Sequence, residues 1–281
     1  MKSSFPRPER TFLFALALLS LSLCVYLGGC DKIKSAYNSI FKSRRSSKVQ
    51  PAHPGHHPSG VTGPRLAIII DDLGADLAPA TALFALDYPL TLSILPNHPH
   101  SADIADEARH RGYQVMLHLP MQSLANETPE PEELRTGMSS AEVSRALAEM
   151  LQTVPHVSGV NNHQGSLVTS DPRMMADLMP LLRQRNLFFI DSRTTAATVA
   201  YEAAQKARVP SSFRNVPFLD DVRDVSAIRK QLELAIRDAK ERGEGIAIGH
   251  PHPETLRALG EVLPQVEARG VHLVYASDLV H

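Results

Sequence analysis

The run Leu66-Ala67-Ile68-Ile69-Ile70 is apolar and rich in β-branched residues, and Asp71-Asp72-Leu73-Gly74 halts it. A continuous apolar run of that length predicts a strand buried on both faces, as in a parallel sheet. On its C-terminal side the spacing predicts a helix over about 77–86, then the strand Leu90-Thr91-Leu92-Ser93-Ile94-Leu95, closed by Pro96. A helix over about 100–111 stops at Gly112, and Tyr113-Gln114-Val115-Met116-Leu117 reads as the third strand. The polar stretch 120–138, with Pro129 and Pro131, has the length of a lid or binding loop. Ser139 and Glu142 form a capping pair ahead of a helix reaching Thr153. Val157–Val160 is a short fourth strand, Asp171-Pro172 opens a helix to about Asn186, and Leu187–Ile190 is the fifth. A helix over 198–207, a weak strand near 211–216, a helix over 224–242, the strand Gly245–Ile248, a helix over 253–269 and the strand Val271–Tyr275 complete the series.

Strands alternating with helices imply parallel pairing with right-handed crossovers. The expected class is therefore α/β, and seven or eight such units close naturally into a (β/α) barrel. The pattern leaves an open sheet possible.

The 281 residues divide into three parts. Residues 1–30 carry Lys2, Arg7 and Arg10 ahead of an apolar run that ends in Leu27-Gly28-Gly29-Cys30. Positive residues before an apolar core read as an export signal. Leu27–Cys30 resembles a bacterial lipobox, and an uncleaved signal anchor is the alternative. Either places the remainder on the extracytoplasmic side of a bacterial envelope, tethered to a membrane. Residues 31–64 are a linker rich in Ser, Pro, Lys and His, without apolar period. Residues 65–281 are the globular part, large enough for one well-buried core.

Formal net charge is −1, so no global field favours nucleic acid. Tryptophan is absent and aromatics are 5%, which argues against a long stacking groove for sugars. The two cysteines, Cys24 and Cys30, both precede the globular part. Any metal there is therefore held by His and carboxylates.

In barrels of parallel strands the chemistry gathers at the C-terminal strand ends. The first strand ends in Asp71 and Asp72, the third runs into His118, and the fourth into Asn161-Asn162-His163. The fifth ends in Asp191-Ser192-Arg193, and the strand at 245–248 ends in Gly249-His250. Each residue alone has an ordinary use as a helix cap or rim residue. Together, on one face, they make a metal site with an acid and a base to spare. One of two adjacent carboxylates can bind a cation while the other stays free to take a proton from water.

Ile68–Gly74, His118-Leu119-Pro120-Met121, Asn161–Ser166, Phe189–Arg193 and Gly249–Glu254 together resemble the divergent polysaccharide deacetylase family, a branch of the NodB-type carbohydrate esterases. The resemblance spans about 65–280. It implies a distorted barrel of about seven units and a divalent metal, commonly zinc. By resemblance, Asp71 is the catalytic base, Asp72 and His118 are metal ligands, His250 is the general acid and Asp191 tunes it. The family's usual second motif has another His four residues on, where this chain has Gln122. His163 is the candidate replacement as third ligand, and the Arg-x-Pro-Tyr motif is absent.

The expected activity is metal-dependent deacetylation of an N-acetylated envelope glycan. A non-catalytic glycan- or protein-binding role for the same fold is the alternative. A phosphoesterase would need a basic cluster that the strand ends lack.

Overall fold

The computed structural model describes residues 62–125, 129–130 and 132–281. The export signal, the lipobox Cys30, most of the 31–64 linker and Pro131 lie outside the described residues. Among the described residues, no helix is long and apolar enough to cross a membrane.

Eight strands, β1 (Arg65–Leu73), β2 (Thr91–Ile94), β3 (Gln114–Met121), β4 (Gly159–Gln164), β5 (Phe188–Asp191), β6 (Ser211–Phe213), β7 (Glu244–Gly249) and β8 (His272–Val274), form one sheet. Its order is β6-β5-β4-β3-β2-β1-β7, every pairing is parallel, and β8 adds to β1. Helices α1 (Leu77–Phe84), α2 (Ser101–His110), α3 (Ser140–Thr153), α4 (Pro172–Gln184), α5 (Ala200–Lys206), α6 (Val225–Arg242) and α7 (Pro253–Val262) connect the strands. The sheet curls into an incomplete barrel. Between its edges β6 and β7, the segment after β6 stands in for the missing pairing. Asn215 N–H donates to the Ile246 carbonyl (3.0 Å), Ile246 N–H to Asn215 Oδ1 (2.7 Å), and Leu219 N–H to the Ile248 carbonyl (2.9 Å).

Strand alternation divides the apolar residues into two cores. Leu66, Ile68 and Ile70 of β1 face the helices with Leu92, Leu117, Val160 and Phe189. Ala67 and Ile69 face the barrel interior with Met116, Phe188, Ile190, Ile246 and Ile248. Continuing each inward series by two residues toward the strand's C-terminal end reaches Asp71, His118, Ser192 and His250. The interior is thus greasy below and polar at the top.

Local signals account for most boundaries. Ser139 and Glu142 make the expected capping box on α3, and Asp171 with Pro172 opens α4. Several boundaries differ from expectation: β1 runs on to Leu73, and β3, expected over 113–117, runs from Gln114 to Met121 and includes His118. The helix expected over 253–269 ends at Val262 and continues as separate 3₁₀ turns, because Pro264 offers no N–H to an α-helical ladder. The fourth strand runs from Gly159 to Gln164, not 157–160, so Asn161, Asn162 and His163 lie within it.

Gly159 pairs in register with Phe188, and a Cβ at position 159 would overlap the Phe188 ring inside the barrel. A Cβ at Gly245 would instead make an ordinary 3.5 Å contact with Ala239. Gly159→Ala should therefore destabilise the fold by about 1–3 kcal/mol, the usual cost of overpacking. Gly245→Ala should change stability little. Denaturant titration of both variants checks the pair.

Candidate functional site

Asp71 and Asp72 are adjacent, and in a regular strand they would point to opposite faces. Between Ile70 and Leu73 the register with β2 shifts, and Asp72 takes φ +56°. Asp tolerates this left-handed conformation better than most residues. The bulge brings both carboxylates to the top of the barrel. Gly74 then turns the chain away at φ +134°, where a Cβ would crowd the Leu95 carbonyl at 3.1 Å.

Three atoms meet at Asp72. His118 Nε2 lies 3.1 Å and His163 Nδ1 3.0 Å from Asp72 Oδ1, and the two ring nitrogens are 3.1 Å apart. Asp72 Oδ1 is buried and makes no aligned hydrogen bond. The three atoms form a near-equilateral triangle close enough to hold one cation, with the two ring nitrogens also within hydrogen-bonding distance of each other. Two imidazole nitrogens and one carboxylate oxygen suit a divalent transition-metal cation. Burial alone would raise the Asp72 pKa, but the His118 and His163 imidazoles outweigh it and hold the carboxyl far below its usual range.

Asp71 is 1% exposed. Burial pushes its pKa up, outweighing the opposing influence of His118 and His250. Asn161 Nδ2 donates to both Asp71 oxygens, at 2.9 and 3.1 Å. The Asn161 carbonyl oxygen accepts from Ser93 Oγ and from His118 Nδ1, the latter at 3.0 Å. His118 therefore carries a proton on Nδ1, and its Nε2 faces Asp72. Burial lowers the His118 pKa most, yet Asp71 and Asp72 together leave it raised.

His250 stands on the opposite side, with Nε2 3.8 Å from Asp72 Oδ2. Its Nδ1 meets Asp220 Oδ1 at 2.9 Å, and its backbone N–H donates to Asp220 Oδ2 at 2.6 Å. Burial opposes the charged ring, but Asp220, Asp71 and Asp72 prevail and its pKa is raised to about 9. The Phe218 ring lies 5.5 Å from the His250 ring. His252 completes a second cluster with Asp220 and His250. There both Asp220 oxygens are already engaged by His250 and by Thr255 Oγ1.

Five of the six predicted residues, Asp71, Asp72, His118, His163 and His250, come together. Asp191 does not. In β5 the inward positions are Phe188 and Ile190, so Asp191 turns toward the helices. It accepts from Arg193 N–H, Thr198 Oγ1 and Tyr201 N–H, and so holds the loop that follows. Asp220, not Asp191, supports His250. Asp220 follows no strand end, so a survey of strand ends passes over it. The clue was an acid two residues after Phe218, in the segment between the weak sixth strand and α6. Arg214 was also missed. Its guanidinium donates to the carbonyls of Ser192, Arg193 and Val216. Gln122 accepts from Thr136 N–H and Oγ1, both at 3.2 Å.

The family model for divergent polysaccharide deacetylases matches residues 68–280. The uncharacterized protein YibQ of Escherichia coli K12 is 38% identical over 223 residues, covering 79% of this chain and 69% of YibQ. The crystal structure of the uncharacterized protein ATU2773 from Agrobacterium tumefaciens C58 superposes with a TM-score of 0.75 at 23% identity, over 79% of this chain and 91% of that one. A T48 deacetylase solved with substrate superposes with a TM-score of 0.50 at 14% identity, over 77% of this chain and 90% of the other. The last two likenesses establish the fold.

Because His250 is more basic folded than unfolded, its charged pair stabilises the metal-free protein fully below about pH 6.5, the ordinary histidine value. That contribution fades as pH rises through about 9. Asp220→Asn should bring the His250 midpoint down toward the ordinary value, whereas Asp191→Asn should leave it in place. Side-chain NMR titration of the two variants discriminates them.

Proposed function

The chain belongs to the divergent polysaccharide deacetylase family, and we propose that it is a metal-dependent hydrolase that removes acetyl groups from an N-acetylated envelope glycan. The observation that carries this reading is the triangle of Asp72, His118 and His163, with the buried Asp71 on one side and the His250–Asp220 pair on the other. Asp72, His118 and His163 would hold a divalent cation, zinc by the chemistry of the donors. Bound there, the cation supplies Lewis-acid polarisation of an acyl carbonyl.

The remaining steps fall to side chains of this chain. Asp71, its pKa raised by burial and both oxygens steadied by Asn161, takes a proton from water as that water attacks the acetyl carbon. Asp220 on Nδ1 favours the charged His250 ring and leaves Nε2–H as the proton source. As the C–N bond breaks, that proton passes to the sugar nitrogen. The products are acetate and a free amine. The two groups thus divide base and acid roles between environments that push their protonation in the required senses.

We place this activity outside the cytoplasm, with the domain tethered through the Cys30 lipobox or an uncleaved anchor. The basic residues and apolar run before Cys30 support that placement. In the lipoprotein case the mature N-terminus is a lipidated Cys30, and Cys30→Ser abolishes both lipid and cleavage. Mass spectrometry of the membrane-extracted protein reads this out. An unmodified, uncleaved N-terminus would leave the anchor.

Asp71 and Asp72 should separate by mutation. Asp72→Asn should lower metal stoichiometry, since a neutral amide is a poorer ligand than a carboxylate. Asp71→Asn should keep the metal and lose turnover by at least ~10²-fold, the lower end of general-base contributions. Metal content and acetyl release, measured side by side, test this. Wild-type turnover in Asp71→Asn would remove Asp71 as the base. A metal-loaded wild type that cleaves no acetylated glycan would leave the non-catalytic binding role in its place.

A further inference from the structure

His250 and His252 leave the end of β7 on either side of Pro251. The His252 N–H donates to the His250 carbonyl at 2.8 Å, a tight turn that sets the two rings side by side. Their centres are 5.9 Å apart and their planes are tilted by 34°. Asp220 comes to the same place from the segment that closes the barrel. One donor atom each from Asp220, His250 and His252 lie within 4.8 Å of one another. His252 stands at the N-cap of α7, yet its side chain caps no backbone N–H. The ring is half-buried, and among the described residues it has no hydrogen-bond or ion-pair partner. It therefore does no structural work that a cation would interrupt.

Both Asp220 oxygens are engaged, but unequally. Oδ2 accepts from the His250 backbone N–H at 2.6 Å and from Thr255 Oγ1 at 2.7 Å. Neither bond involves a ring, so the carboxylate stays oriented whatever happens on its other side. That is how a supporting shell holds a metal-binding carboxylate. Among the described residues, Oδ1 meets only His250 Nδ1, at 2.9 Å.

We propose that Asp220, His250 and His252 form a second site for a divalent transition-metal cation, and that filling it silences His250 as an acid, so that excess metal inhibits the enzyme. The donors repeat those of the first site, two imidazoles and one carboxylate. The inhibition rests on the hydrolase reading; the cation site does not. The cation takes the place of the proton between His250 Nδ1 and Asp220 Oδ1, and that proton goes to solvent. The ring is left neutral, with its one remaining proton on Nε2. A neutral imidazole holds its last proton far more tightly than an imidazolium holds its second, so the leaving amine goes unprotonated. Because a proton must first be displaced, this site is weaker than the one at Asp72, whose Oδ1 makes no aligned hydrogen bond.

The test titrates metal-free protein with zinc by equilibrium dialysis, comparing the wild type with His252→Ala, His163→Ala and the double variant. Any zinc held by His53, His56 and His57 of the linker is common to all four proteins. His252→Ala should weaken one of the weaker binding steps at least ~10-fold, the lower end of what loss of even a supporting group costs. His163→Ala should lose a different, tighter step, and the double variant both. Acetyl release by the wild type should rise with the first zinc and fall as the second binds. His252→Ala should need at least ~10-fold more zinc for the same fall. Identical dialysis curves for the wild type and His252→Ala overturn the site. Inhibition that persists unchanged in His252→Ala, once its weak step is gone, overturns the silencing of His250. If the wild type releases no acetate at any zinc concentration, the hydrolase reading fails by itself, and dialysis alone decides the second site.

Discussion

Asp71 is a carboxylate lifted almost wholly out of water at the head of an apolar barrel. A charge in that position is untenable unless its surroundings satisfy it. The site is built around that demand. Asn161 Nδ2 donates across both oxygens of the carboxylate and to Ser192 Oγ, and its carbonyl is free to collect the protons of Ser93 and His118. Satisfying the proposed base thus also chooses the tautomer of a proposed ligand. The two functions share one side chain, so neither can drift without the other.

The barrel was legible because a strand buried on both faces leaves an unbroken apolar run, and β1, β3, β5 and β7 all carry one. The polar ring was legible for the same reason: such runs end abruptly in residues that do not belong in a core. Strand alternation was the part left unread. Counting by two from Ile69 reaches Asp71, and from Met116 reaches His118. From Ile190 it passes over Asp191 to Ser192, so the sequence already held the reason Asp191 turns away. Asp220 was harder to see. It is brought to His250 by the segment that closes the barrel between β6 and β7, a tertiary pairing with no local period.

In the proposed metal site, His163 of β4 stands in for the His that the family's usual motif would place at position 122. In the usual motif two histidines come from one strand end. Here His118 belongs to β3 and His163 to β4, where Asn161 pairs beside His118 and His163 two residues further along. The two imidazoles present different nitrogens to Asp72, Nε2 from His118 and Nδ1 from His163, because they approach it from different strands. Gln122 itself fastens the loop at Thr136.

The pairing of β1 has a mechanical side. Its N-terminal half is flanked by β7 and β8 at once, and its C-terminal half by β7 and β2. Arg65, at its head, reaches across to Glu244 and to the Asp278 carbonyl. Tension applied to the chain ahead of the domain enters at this residue and runs along the strand axis. It loads rows of lateral hydrogen bonds in shear on both sides, which yield together and not one at a time. The two carboxylates sit at the far end of that strand, the last part of it such a load would displace.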